Sequence, residues 1–117
     1  MQNDGRVLEL VVYTLNEGVS RERFLETNGA VSSWISRQPG FRSRELVHDA
    51  EGDRWVDVIW WERIEDAHAA AELSATSESC APMFALIDMQ SALMLHGTPA
   101  IDRVDAPTTV GAASRRT

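Results

Sequence analysis

The sequence predicts an α+β fold of order β-α-β-β-α-β, and three features of its 117 residues point there. Pro39 to Glu62 reads as a β-hairpin, and its second run, Trp55-Val56-Asp57-Val58-Ile59-Trp60-Trp61, holds three of the four tryptophans and is the most β-prone stretch in the chain. An alternating strand and an amphipathic helix precede the hairpin. A second helix and a last strand follow it.

Arg6 to Thr14 (RVLELVVYT) is the first strand. Leu8, Leu10 and Val12 fall on one face, and Val7, Glu9, Val11 and Tyr13 on the other. The aliphatic set is expected to face helices, and the mixed set to line a cavity. Ser20 is a candidate N-cap for a helix over about 21–37, with Glu22 complementing the helix dipole. Phe24, Val31, Trp34 and Ile35 share a stripe of that helix, which Gly29 weakens, and Gln38-Pro39-Gly40 ends it.

In the hairpin, Asp49-Ala50-Glu51-Gly52-Asp53 forms the turn, with Gly52 expected at positive φ. Simple alternation puts Phe41, Ser43, Glu45 and Val47 on one face and Arg42, Arg44, Leu46 and His48 on the other. On the second strand it separates Trp55, Asp57, Ile59 and Trp61 from Val56, Val58 and Trp60. Glu65-Asp66 opens the second helix, whose contact face is Ala67, Ala70, Ala71 and Leu73, and SATSES at 74–79 breaks it. Pro82 suits the first turn of a short helix carrying Met83 and Phe84. Met89 to His96 is the last strand. Residues 97–117 lose periodicity and read as a tail, or an arm laid on a partner, after a single domain at 1–96.

This order is the ferredoxin-like arrangement, a four-stranded antiparallel sheet with both helices on one face. Its other face is left open, and the mixed polar and apolar side of each strand suggests that a second copy covers it, giving a homodimer. The net charge of −7, with no lysine, argues against nucleic acid or an anionic membrane as partner. No apolar run approaches the roughly 20 residues that span a bilayer. Met1 to Gly5 lacks the features of a signal peptide, and the single cysteine, Cys80, suits a reducing compartment, so a cytoplasmic location is expected.

The helix ending in Gln38-Pro39-Gly40-Phe41, and Trp61-Glu62 followed by Glu65-Asp66-Ala67, resemble the antibiotic biosynthesis monooxygenase-like domains of the dimeric α+β barrel superfamily, over about 6–96. The resemblance implies a homodimeric barrel with a pocket between sheet and helices in each protomer. It also implies a small apolar or aromatic ligand and, in several members, oxygenation of aromatic polyketides without metal or flavin. Haem-degrading members carry an Asn, a Trp and a His where this chain has Val11, Ala70 and Cys80. Cyclase members carry a Tyr and His pair that Ser77 to Phe84 lacks. Neither activity is expected.

Within the implied pocket, Glu9 and Asp57 are the candidate general bases, with Arg44 to stabilise a developing enolate. Against this stands an ordinary ion pair of a carboxylate with Arg42 or Arg44 at the dimer interface. Val11, Tyr13, Trp55, Trp61, Met83 and Phe84 are the candidate ligand contacts, the aromatic ones by stacking. No H-x-x-x-H or C-x-x-C spacing occurs, so no metal or other cofactor is expected, and His48, His68 and His96 read as surface or structural groups. The rival reading is a non-catalytic ligand-binding or cyclase-like accessory dimer.

Overall fold

A computed structural model describes residues 4–108 of the protein. The elements are β1 (Val7–Leu15), α1 (Arg21–Glu26), α2 (Asn28–Ser36), β2 (Phe41–Asp49), β3 (Arg54–Trp61), α3 (Ile64–Ser74), α4 (Ala81–Phe84) and β4 (Ile87–Gly97). They build one antiparallel sheet of order β2-β3-β1-β4, the ferredoxin-like α+β fold.

The first helix differs from expectation. It is two helices, because at Thr27 and Asn28 the side chains turn back to the carbonyl of Phe24, at 2.6 and 2.9 Å. Such local bonds compete with the helix ladder, and the axis breaks there rather than thinning at Gly29. Ser20 does cap α1, its hydroxyl accepting from the Arg23 amide. In the hairpin turn Asp53, not Gly52, has positive φ (51°). Gly52 is needed for space: a Cβ there would lie 2.8 Å from both Arg54 Nε and Asp49 Oδ2, which clasp each other across the turn. Gly40, at φ +80°, meets both demands, since the Asp66 carboxylate packs against its Cα.

The two faces of the sheet are reversed from expectation. Val7, Glu9 and Tyr13 are buried under the helices, whereas Leu8, Leu10 and Val12 lie on the open side. Leu10 and Val12 pair there with Leu95 and Leu93 on one flank and with Val58 and Val56 on the other. The polar groups can lie beneath helices because they find partners within that layer, as described below. The open side is therefore the aliphatic one, not the mixed one. A bulge between Phe41 and Ser43 also shifts the alternation in β2. Phe41 thereby packs on Trp61, ring centroids 5.8 Å apart, on the same side as Arg44 and Leu46.

The core divides in two. Phe24, Tyr13, Trp55 and Val31 form one cluster with Met83, Leu86 and Ile87. Ile35, Ile59, Trp61, Ala67 and Ala70 form the other. Past Gly97, residues 98–108 make no helix or strand, and Ile101 and Val104 are exposed. The rest of the expected tail and Met1 to Asn3 lie outside the described residues. No described helix is long and apolar enough to cross a membrane.

Candidate functional site

Between the sheet and helices α2, α3 and α4 lies a cavity of about 210 Å³. Its floor comes from alternate residues of β1 and β3, which project the same way from adjacent strands: Glu9, Val11 and Tyr13 beside Asp57, Ile59 and Trp61. Its roof is apolar, with Val31, Trp34 and Ile35 from α2 and Met83 and Phe84 from α4. Met89 and Met94 of β4 stand at its rim, about half exposed. β4 is an edge strand of the sheet.

Two carboxylates enter this mostly apolar space. Asp57 is held by Arg44 in a fork, Nε to Oδ1 at 2.7 Å and NH2 to Oδ2 at 3.0 Å, with both side chains only 6% exposed. The same guanidinium donates to Asn28 Oδ1 (2.6 Å) and Ser32 Oγ (2.9 Å) on α2. The break at Thr27 sets where Asn28 begins the second helix, and so aims its amide at Arg44. Tyr13 completes the group, its hydroxyl 3.4 Å from Asp57 Oδ2. Burial, with Asp57 adding to it, pushes the Tyr13 phenol well above its ordinary range, so it stays protonated. Arg44 thus has four of its five N–H donors committed to the protein.

Glu9 is equally buried and has no arginine. Its Oε1 accepts from the Trp61 indole N–H at 2.9 Å. His96 Nε2 lies 3.6 Å from the same oxygen, an electrostatic contact too long for a hydrogen bond. Burial raises the Glu9 carboxyl above its ordinary range, and the Trp61 and His96 contacts offset only part of that. A carboxyl pushed upward in an apolar pocket is a proton acceptor that can also keep its proton.

The structure brings Glu9, Asp57 and Arg44 to one cavity, with Val11, Tyr13, Trp61, Met83 and Phe84 on its walls. Trp55 is not among them: it is buried against Phe24 (4.8 Å), with His48 stacked on its ring (4.4 Å) and Arg21 over it. The Arg44 pair lies in the helix–sheet layer rather than at the open face, and Arg42 pairs at the surface with Asp4 and Glu62. His48 is tied to Asp53 at 3.0 Å. Asn28, Ser32 and His96 are the polar groups that sequence reasoning missed. None has a spacing signal, since each reaches its partner through the tertiary fold. Cys80, on the cavity wall, is buried and its thiol is raised by that burial, which leaves it unreactive. Among the described residues, no three His, Cys, Asp or Glu side chains are placed to hold a metal ion.

No family model matches the chain, and no curated protein matches it. Solved structures do. The chain is similar to a variant of SnoaB, a cofactor-independent oxygenase from Streptomyces nogalater, at 15% identity over 83% of this chain and 95% of that one, with a TM-score of 0.68. It is similar to the ActVA-Orf6 monooxygenase of Streptomyces coelicolor, solved with nanaomycin D, at 19% identity over 88% and 95% of the two chains, TM-score 0.62. A dimeric protein of unknown function and ferredoxin-like fold from Bacteroides fragilis aligns at 16% identity over 83% and 99%, TM-score 0.54. Other matches are described as antibiotic biosynthesis monooxygenases. The chain shares their fold.

Proposed function

We propose that the protein oxygenates a small aromatic or polyketide-like substrate, of the kind that ionises to an enolate, without a cofactor. The observation that carries this reading is Glu9: a buried carboxylate on an apolar cavity, raised in pKa and left without an arginine. In such a reaction Glu9 takes a proton from the carbon beside the substrate carbonyl. The enolate passes one electron to dioxygen, and the resulting radical and superoxide combine as a peroxide anion on that carbon, which takes a proton back through Glu9 to give the hydroperoxide. Loss of the second hydrogen from the carbon, with departure of water, leaves a ketone. One oxygen atom ends in the product and the other in water. The apolar walls exclude solvent from the carbanion, and the remaining N–H of Arg44 is available to the enolate oxygen. Val11, Tyr13, Trp61, Met83 and Phe84 would hold the ring system.

The test is oxygen uptake with an anthrone or naphthoquinol. Glu9→Gln is expected to lower turnover by about 10²–10⁴-fold, with the circular dichroism of the native chain retained. Uptake that persists in Glu9→Gln removes Glu9 as the base. The exposed, adaptable methionines at the rim favour a second reading, a ligand-binding protein without chemistry. Saturable quenching of tryptophan fluorescence by such compounds, with no oxygen consumed, would select it.

We also infer that two copies meet through the open face. Leu8, Leu10, Val12, Val56, Val58 and Trp60 lie there beside Leu93, Leu95 and Val47, which are 62%, 44% and 45% exposed, and a contiguous patch of this kind marks an interface. Light scattering should give about twice the 13.0 kDa chain mass, and Leu95→Glu should halve it. A monomeric native chain defeats this inference.

A further inference from the structure

Glu9 is the inner end of a line of titratable side chains that reaches the surface. Glu9 on β1 is the register partner of His96 on β4, so both project from the same face of the sheet. His96 Nε2 faces Glu9 Oε1 at 3.6 Å, and that nitrogen is sealed from solvent with no hydrogen-bond partner. The His96 side chain is nevertheless 18% exposed, so its ring spans from the sealed contact with Glu9 to solvent. Against it, at 5.2 Å between centroids and 82° between planes, stands the ring of His68, which is exposed on α3. Exposure thus rises in order along Glu9, His96 and His68.

We propose that these three side chains form a proton line between the cavity and solvent, in which His96 accepts at Nε2 the proton that Glu9 has removed from a bound carbon acid, and releases another from Nδ1 to His68 or water. This rests on the reading of Glu9 as the base. A proton left on Glu9 returns to the enolate carbon before dioxygen reacts unless it is passed on, and the apolar walls offer no other acceptor for it. The competing acceptor positions are closed: Trp61 only donates to Glu9, and Asp57 is occupied by Arg44. The titratable groups that act on Glu9 are His96 and, more weakly, Asp57. Those against His96 are Glu9 and His68. A sealed imidazole nitrogen aimed at a carboxylate but not bonded to it suits a group that bonds only when one of the two carries the transferred proton. His96 and His68 act through Glu9 and touch no substrate, so they are positioning residues.

The experiment uses the full chain and anthrone deuterated at the acidic carbon, under argon, so that proton removal is read without oxygen as deuterium lost to solvent. His96→Asn is expected to slow wash-out by about ten- to a hundredfold, less than Glu9→Gln does, and added imidazole is expected to restore it. His68→Asn should show a smaller loss, also restored by buffer. Carboxyl carbon NMR of the His96→Asn chain should show Glu9 titrating higher than in the native chain. Wash-out unchanged in His96→Asn, a loss that imidazole does not mend, or a Glu9 titration that does not move, each overturns the line. Native wash-out with no oxygen uptake in air overturns the oxygenase reading and leaves the line standing. No wash-out from the native chain overturns both.

Discussion

Asp57 and Glu9 stand on adjacent strands of one face of one sheet, 5% and 6% exposed, and the fold treats them in opposite ways. Asp57 is surrounded: a two-pronged arginine, a tyrosine hydroxyl, and behind the arginine an asparagine and a serine. Every charge in that group is answered at hydrogen-bond distance, so the group holds α2 to β2 and β3. Glu9 has one indole N–H and one histidine just out of bonding range. A charge left half-answered in a dry site contributes little to stability and remains available for proton transfer. Equal burial therefore does not mean equal role; the partners decide.

The largest effect that would break this contrast is at Asp57. Asp57→Ala strands the buried Arg44 charge and is expected to destabilise the chain by about 3–5 kcal/mol in urea unfolding. A loss below 1 kcal/mol, on the same scale as a surface change, would mean that water reaches Arg44 and the pair is no brace. Trp61→Phe comes next. It keeps an aromatic ring against Phe41 but removes the indole hydrogen bond to the Glu9 carboxylate, and should cost about 2–3 kcal/mol. It should also move Glu9 still higher, because that N–H favours the ionised form. A Glu9 titration that stays put would show that the indole does not hold the carboxylate.

Glu9→Gln should have the smallest effect on stability, within about 1 kcal/mol, since the amide oxygen still accepts from Trp61. Its signature is in the pH dependence. The folded-state pKa of Glu9 is raised above its ordinary 4.5, so the native state holds its proton where the unfolded chain has lost it. The contribution of Glu9 to stability is fully present below the ordinary value and is lost as pH rises through the folded-state one. Native minus Glu9→Gln stability should therefore fall with rising pH across that window. A difference that is flat, or that rises, would place Glu9 among the stabilising carboxylates with Asp57.

The sequence alone determined the element order, because alternation, helical spacing and the Pro39-Gly40 break are local features that each stretch carries within itself. It also determined which residue types were worth testing, since Glu9 and Asp57 interrupt runs that otherwise read as apolar and Arg44 lies on the strand next to Asp57 in the hairpin. Which face of the sheet takes the helices was decided by tertiary structure. A period of two defines two sides without saying which is covered, and the polar side could go inward because Arg44 and Tyr13 converge on Asp57 and Asn28 answers Arg44 in turn. The bulge after Phe41 likewise depends on pairing with β3 and leaves no mark in its own strand. The histidines show the limit most clearly. His68 and His96 are 28 positions apart, and Glu9 lies far from both, so no spacing rule could join them. Antiparallel pairing of the first strand with the last sets His96 opposite Glu9, and the packing of α3 brings His68 to its ring.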